Sequence, residues 1–514
     1  MALIGVLLVF FALFFATTIN LATADLGRHI VNGRELLTTP NTQAVLTSNY
    51  YSFSNSEYTF INHHWLYGVL SFSIYRFSGF VGLSIFNILT ATTAFGLLIF
   101  WAYRKYGLVA AYSAGLLCLP LLTSRTEVRP ETISLVGVAL YFVVLERFLA
   151  KKISSVWVWI LLLTTQVVWQ NTHLFFVLGL FELFVFWLAS LMQKQKSAII
   201  SLGLLGVVSA LVTLLNPNGI PGALMPLTIF SNYGYSVAEN QTLLFMLERF
   251  KAPLQYYELF LVLIGVGGGL LAFRHSKKSS DRTLFFTTAV LFFVLGSATF
   301  RVIRLESFWG LLSIPYFAFL VAHFGKKVSL TKLRISATLQ MLGSTIGFAV
   351  LLLIGWSGLF TPLSARTGLG LLPGVSGAAE FITSEQLSGT IFNNYDIHGY
   401  ILFYLFPSER VFIDNRPEAY PVHFFEDEYM QPQESNQEWQ ALQAKYHFNL
   451  IVFYRHDLTP WAQKFLIERI DDPEWAPVFV DATTIIFLKK APENAETIEK
   501  LQLPREIFTT SATR

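Results

Sequence analysis

Asp25, Arg28 and His29 stand three and four residues apart in Asp25-Leu-Gly-Arg-His29, the spacing that gathers side chains on one helical turn. A carboxylate there is able to orient or deprotonate an acceptor group, and a neighbouring guanidinium to hold an anion by paired hydrogen bonds. The plainer reading is a helix cap with Arg28 as its ion-pair partner. His63 and His64 precede Trp65 and read either as ligands or as part of an aromatic belt with Trp65 and Tyr67. Arg125 and Arg129 flank Glu127 ahead of Glu131, and Arg301 and Arg304 precede Glu306. Such arginines suit a phosphate or carboxylate. Pairing with Glu127, Glu131, Glu306 or lipid headgroups is the bland alternative. His173, closing Trp169-Gln-Asn-Thr-His173, is open to a binding or a structural role.

The elements that position these groups are apolar. Of 514 residues, 54% are hydrophobic and only 13% charged, against roughly 25% charged in soluble domains. The apolar residues form long runs, which read as a mainly α, polytopic transmembrane bundle of about 11 spans. Spans are expected near 3–22, 80–102, 107–122 and 132–150, then as a hairpin tipped by 169–173, at 198–215, ending at 274, at 283–300, ending near 326, and at 338–360. Trp65–Tyr75 is too short to cross and is expected at the interface. One cysteine, Cys118, allows no internal disulfide and no cysteine-based metal site. The net charge of +3 is small and dispersed, which gives no indication of nucleic acid as a partner.

Loop charge orients the bundle. Arg104-Lys105, Lys151-Lys152, Lys194 with Lys196, Arg274 with Lys277-Lys278, and Lys326-Lys327 alternate with less basic loops, so these belong in the cytoplasm together with the N-terminus. Ala22-Thr-Ala24 resembles a signal cleavage site, but no Lys or Arg precedes the apolar run, and an uncleaved first span is expected. The large first outer loop 25–65, the arginine turns, the 169–173 tip and residues 361–514 then share the outer face of a plasma (inner) membrane. Arginines on that face run against the usual bias, which is the argument for giving them work.

The expected domains are a transmembrane bundle, 1–360, and an extracytoplasmic soluble α/β domain, 361–514. In the latter, strands are expected at 389–393, 410–414 and 448–454, a hairpin at 476–489, and helices at 378–387, 397–405, 436–446 and 460–470, giving a largely parallel sheet. Neither G-x-G-x-x-G nor a P-loop is present, so nucleotide binding is not indicated. Asn216-Pro-Asn-Gly219 is first of all a turn.

With an Asp opening the first outer loop, then His64-Trp-Leu66, Arg129-Pro130, Trp169-Gln-Asn-Thr-His173 and Asn216-Pro-Asn-Gly219, the chain resembles the multi-span GT-C glycosyltransferases. More narrowly it resembles bacterial relatives of the protein O-mannosyltransferases and lipid-A aminoarabinose transferases. Ile391-Phe-Asn-Asn-Tyr-Asp396-Ile-His398 with Arg410-Val-Phe-Ile-Asp414-Asn-Arg416 is similar to a block common in that group. The resemblance implies a polyprenyl-phosphate-linked sugar donor, membrane lipid as surroundings, an unspecified acceptor, and inverting transfer at the outer membrane–water boundary. It places the catalytic carboxylate at Asp25 but does not fix which arginine holds the phosphate; by their position at the outer loop mouths, Arg28, His29, His64, Arg129, His173, Arg301 and Arg304 are the substrate-binding candidates. Many relatives pair two acidic residues in this loop. Here Leu26 follows Asp25, which leaves Glu35 or Glu57 as a second carboxylate and a divalent metal as an open question.

Two other classes compete. A transporter needs ionisable residues mid-span between broken helices, whereas these gather at loop mouths. A non-catalytic scaffold or envelope-polymer assembly protein would dock through residues 361–514 and be indifferent to Asp25→Asn.

Overall fold

The computed structural model describes residues 2–251, 253–275, 279–327 and 367–508. Among the described residues six helices are long and apolar enough to cross a bilayer: Trp65–Tyr106, Glu131–Leu149, Leu174–Met192, Pro253–Phe273, Arg282–Thr299 and Ile303–Gly325. Ala2–Phe15, Leu108–Leu122 and Lys196–Val212 are shorter apolar helices. The chain is a multi-pass membrane protein. The expected span at 338–360 lies outside the described residues.

Two boundaries differ from expectation. The first helix stops at Phe15 rather than near residue 22. Beyond it the β-branched Thr17, Thr18 and Ile19 favour extended backbone, and the chain bonds laterally instead, Gly368 N–H to Ala16 C=O at 2.9 Å and Ile19 N–H to Gly370 C=O at 2.8 Å. The segment expected at the interface, 65–75, runs on into one helical stretch, Trp65–Tyr106, broken at Gly79. Gly79 has φ 62° and ψ −161°, a conformation open in practice to glycine alone.

Chain contacts divide the molecule into two compact units, and the division is not a single cut. The first comprises 1–18, 82–227 and 236–369; the second comprises 19–81, 228–235 and 370–514. In the first, helix Glu306–Lys327 packs along Leu108–Leu122, with Gly310 seated against Leu121 and Leu122. Trp169 is wedged where a Cβ on Gly137 would lie 2.6 Å from its ring, so that glycine is what admits the indole.

In the second unit, helix Leu26–Thr38 is gripped from two sides. A Cβ on Gly27 would fall 2.1 Å from the Gly399 carbonyl oxygen in helix His398–Leu405, and a Cβ on Gly33 would fall 2.1 Å from the Gly68 carbonyl oxygen. Close backbone approach at both ends fixes how this helix presents its side chains.

The tail forms a four-stranded sheet with order β1-β2-β4-β3: β1 Ile391–Asn393, β2 Leu450–Tyr454, β3 Trp475–Val480 and β4 Thr484–Lys489. β1 and β2 are parallel, Ile391 opposite Leu450; β2 with β4, and β3 with β4, are antiparallel. The sheet is thus mixed, not largely parallel. The expected hairpin supplies the antiparallel edge, its turn held by Asp481 Oδ1, which accepts from the N–H groups of Thr483 and Thr484 at 2.7 Å. Pro477, which cannot donate to a ladder, sits at the register shift of edge strand β3. Segment 410–414 makes only an isolated bridge, Val411 with Ser52. Its backbone groups are taken by side chains: Asn393 Oδ1 accepts from Phe412 N–H at 2.9 Å, Asn393 Nδ2 donates to Ile413 C=O at 2.8 Å, and Ser54 Oγ donates to Phe412 C=O at 2.6 Å.

Candidate functional site

The residues singled out above fall into two groups, one in each unit. In the second unit Asp25 occupies the N-cap position of helix Leu26–Thr38, its backbone carbonyl accepting from His29 N–H at 3.2 Å, while its carboxylate makes no capping bond. Asp25 Oδ2 lies 3.8 Å from His29 Nε2, and 13% of its side-chain surface is open where His29 has none. The His29 ring stands edge-on to His64 and to Tyr67, with centroids 5.4 and 5.0 Å away. His63 and His64 lie ring to ring at 4.0 Å, and His63 Nδ1 faces the Ile61 carbonyl at 3.1 Å. The histidines therefore form an aromatic wall behind Asp25.

Arg28 is buried beside Asp25. Burial and the nearby Arg416 lower its pKa, with Asp25, Asp414 and Glu418 pulling the other way. Its Nε has no hydrogen-bond partner among the described residues. Arg416 is locked: Nε donates to Asp414 Oδ1 at 2.9 Å, Nη2 to Asn49 Oδ1 at 2.8 Å and to Asp414 Oδ2, and the guanidinium lies 4.4 Å from the Phe60 ring centre. Burial opposes ionisation of Asp414, yet Arg416 outweighs it and holds that carboxyl below its ordinary range. His398, wholly buried, is pushed down to about 4 by burial, against the pull of Asp414. Arg416, paired with Asp414 and bonded to Asn49, thus ties residues 25–65 to the tail, and Arg28 Nε is a buried donor close to Asp25 that keeps hydrogen-bonding capacity. Nothing in the sequence marked Asn49, Phe60 or Tyr51, whose ring lies 5.8 Å from the guanidinium, as partners of Arg416, because they meet it only through folding.

Glu35 is ten residues along the helix from Asp25, roughly 15 Å of rise, and pairs with Arg34 at 3.1 Å. Glu57 is exposed. Among the described residues no three His, Cys, Asp or Glu side chains converge to hold a metal. Asp25 and its neighbours therefore do not fit a divalent-ion donor set.

In the first unit three arginines meet two carboxylates. Arg125 Nη1, Arg129 Nη1 and Arg304 Nη1 reach Glu239 at 2.6, 3.0 and 3.0 Å. Arg304 Nη2 and Arg125 Nη2 reach Glu131 at 2.7 and 3.3 Å. Burial opposes the charge on Glu239, but the three guanidiniums outweigh it and hold its carboxyl far below the usual range. The sequence anticipated the arginines but not Glu239, which lies more than a hundred residues from Arg125 and Arg129. Glu306 takes Gln255 Nε2 instead, at 2.9 Å, and Glu127 is exposed. Arg301 is exposed and has no ion-pair partner among the described residues.

His173 is buried, its Nδ1 2.7 Å from Ser134 Oγ, which also accepts from Trp169 Nε1–H at 2.6 Å. Gln170 and Asn171 donate to the carbonyls of Val212 and Leu215, satisfying the C-terminal end of helix Lys196–Val212. The 169–173 motif is accordingly structural in most of its members. Asn216-Pro-Asn-Gly219 closes as a turn, Asn218 N–H donating to Asn216 Oδ1 at 2.8 Å. Glu182 departs from the loop-mouth pattern. Glu182 is buried inside helix Val177–Met192, and neither oxygen has a partner among the described residues.

No family model and no curated protein matches the chain by sequence. Solved structures match by fold. The archaeal oligosaccharyltransferase AglB from Archaeoglobus fulgidus, in complex with an inhibitory peptide and a dolichol-phosphate, superposes with TM-score 0.57 at 11% identity over 93% of this chain and 72% of that one. ArnT from Cupriavidus metallidurans bound to undecaprenyl phosphate superposes with TM-score 0.54 at 13% identity over 96% of this chain and 98% of that one. The fold of this chain is thus similar to that of AglB and of ArnT.

Proposed function

We propose that the protein transfers a sugar from a polyprenyl-phosphate-linked donor to an acceptor at the extracytoplasmic face of the plasma membrane. Asp25 is the catalytic carboxylate in this reading. It orients the acceptor nucleophile and takes its proton as the bond from sugar to phosphate oxygen breaks. Arg28, with free donor capacity beside it, stabilises charge at the reacting centre. In the first unit Arg125, Arg129 and Arg304 take the role of holding the lipid phosphate, and in the second His29 and His64 flank Asp25. The observation that carries the proposal is the partly open Asp25 carboxylate against buried Arg28 and His29, on a fold shared with structures that hold dolichol-phosphate and undecaprenyl phosphate.

The arginine cluster sharpens it. Three guanidiniums against two carboxylates leave one positive charge, and Glu239 touches all three arginines. Glu239 comes from a short 3-10 turn, Ala238–Asn240, in the connection between two helices. In our reading its carboxylate occupies the position of a phosphate and yields to one.

The experiment offers purified protein in lipid a panel of radiolabelled polyprenyl-phosphate sugars and follows release of the lipid phosphate. Release identifies the donor. No release across the panel, even with membrane extract as acceptor source, moves the weight to a scaffold docking through its tail.

A further inference from the structure

An open cavity of about 570 Å³ lies in the first unit, at the end of the bundle opposite in sequence pattern to the arginine turns. Leu8, Leu89, Leu97, Phe100 and Val143 give it apolar walls. Its rim carries Arg104, Lys105, Arg147 and Lys152, with Glu146 as its carboxylate. Glu146 is already engaged, accepting from Trp101 Nε1–H at 2.9 Å and from Lys105 Nζ, and Lys105 also lies over the Trp101 ring. That leaves Arg104, Arg147 and Lys152, all exposed and all without an ion-pair partner among the described residues.

We propose that this groove binds an anionic phospholipid, its acyl chains along the leucines and Phe100 and its phosphate among Arg104, Arg147 and Lys152. Ordinary lipid contact explains apolar walls, but not three unpaired cations lining the same groove. Basic pockets between helices near the cytoplasmic surface are where anionic headgroups are held. The site is independent of the transfer reaction and would stand if that reading failed.

The test uses full-length protein stripped of lipid in detergent, titrated with dioleoyl phosphatidylglycerol or dioleoyl phosphatidylcholine and read by native mass spectrometry. The wild type is expected to retain phosphatidylglycerol in preference to phosphatidylcholine. Arg104→Ala with Arg147→Ala and Lys152→Ala is expected to weaken that retention about 100-fold, taking roughly 1 kcal/mol for each cation. Gly96→Phe keeps every charge but fills the groove, since a Cβ there meets only Leu8 at 3.8 Å, and it too is expected to release the lipid. Equal retention of both lipids by the wild type, or unchanged discrimination in the triple variant, overturns the proposal. So does displacement by equimolar polyprenyl phosphate, which would assign the groove to the substrate.

Discussion

The arginine cluster of the first unit and the Asp25 neighbourhood of the second are both crowded with charge, yet they dispose of it differently. Around Glu239 and Glu131 the arginines keep part of their surface open and are shared between two carboxylates, so that an incoming anion has the means to exchange one partner for another. Around Asp25 the strong pair, Arg416 with Asp414, is buried and matched, while Asp25 stays partly open. A buried ion pair is costly to break and poor at exchanging; a partly exposed one is the reverse. On the function proposed above, the difference becomes a division of labour: exchangeable cations for binding, and a rigid frame that holds one carboxylate for chemistry.

Five experiments break or sharpen that contrast. Asp25→Asn keeps an N-cap residue and is expected to insert normally while donor turnover falls about 100- to 10,000-fold, as for loss of a general base. Near-normal turnover would remove Asp25 from the chemistry. Arg416→Ala strands Asp414 in a buried site and is expected to cost about 3–5 kcal/mol, seen as earlier thermal unfolding and faster amide exchange over 410–420. Adding Asp414→Ala should restore part of the loss; equal damage in both variants would argue against the pair.

The third concerns pH. His398 binds its proton at about 4 when folded, against an ordinary value of 6.5. Between those values the unfolded chain holds more protons, so stability rises with pH across the window and is lost as pH falls from 6.5 to 4, by about 3 kcal/mol. His398→Asn should flatten that slope in unfolding measured at successive pH values. Asp414, whose folded pKa is also lowered, adds loss in the same direction at lower pH.

Fourth, Arg304→Ala or Arg129→Ala removes charged hydrogen bonds and should weaken donor binding about 10- to 100-fold, with turnover at saturation largely kept. Arg301→Ala, outside the cluster, should change it least. Unchanged affinity in both cluster variants would sink the phosphate role. Last, Glu239→Gln withdraws the competing carboxylate and should tighten polyprenyl phosphate binding about tenfold. Weaker binding would make Glu239 a structural prop instead of a stand-in for phosphate.

Much of this was legible in the sequence because helix-length apolar runs and loop charges are local signals. Every expected span before residue 330 coincides with a helix, although the first ends early at Phe15 and the second begins as far back as Trp65. The hairpin in the tail was equally local. What was hidden came from long-range pairing. Segment 410–414 has a strand's composition, but Asn393 and Ser54 take its backbone groups. Glu239 finds three arginines from two other parts of the chain, and Arg416 reaches back to Asn49 and Phe60. Glu182 leaves little mark on its apolar run, where one carboxylate hardly alters the hydropathy.

The most direct test of the account measures two quantities on the same preparations of wild type, Asp25→Asn and Arg304→Ala: turnover of a polyprenyl-phosphate sugar and affinity for the polyprenyl phosphate itself. The account predicts that Asp25→Asn loses turnover and keeps affinity, while Arg304→Ala loses affinity and keeps turnover at saturation. Parallel loss of both quantities in both variants would contradict the division between the two regions.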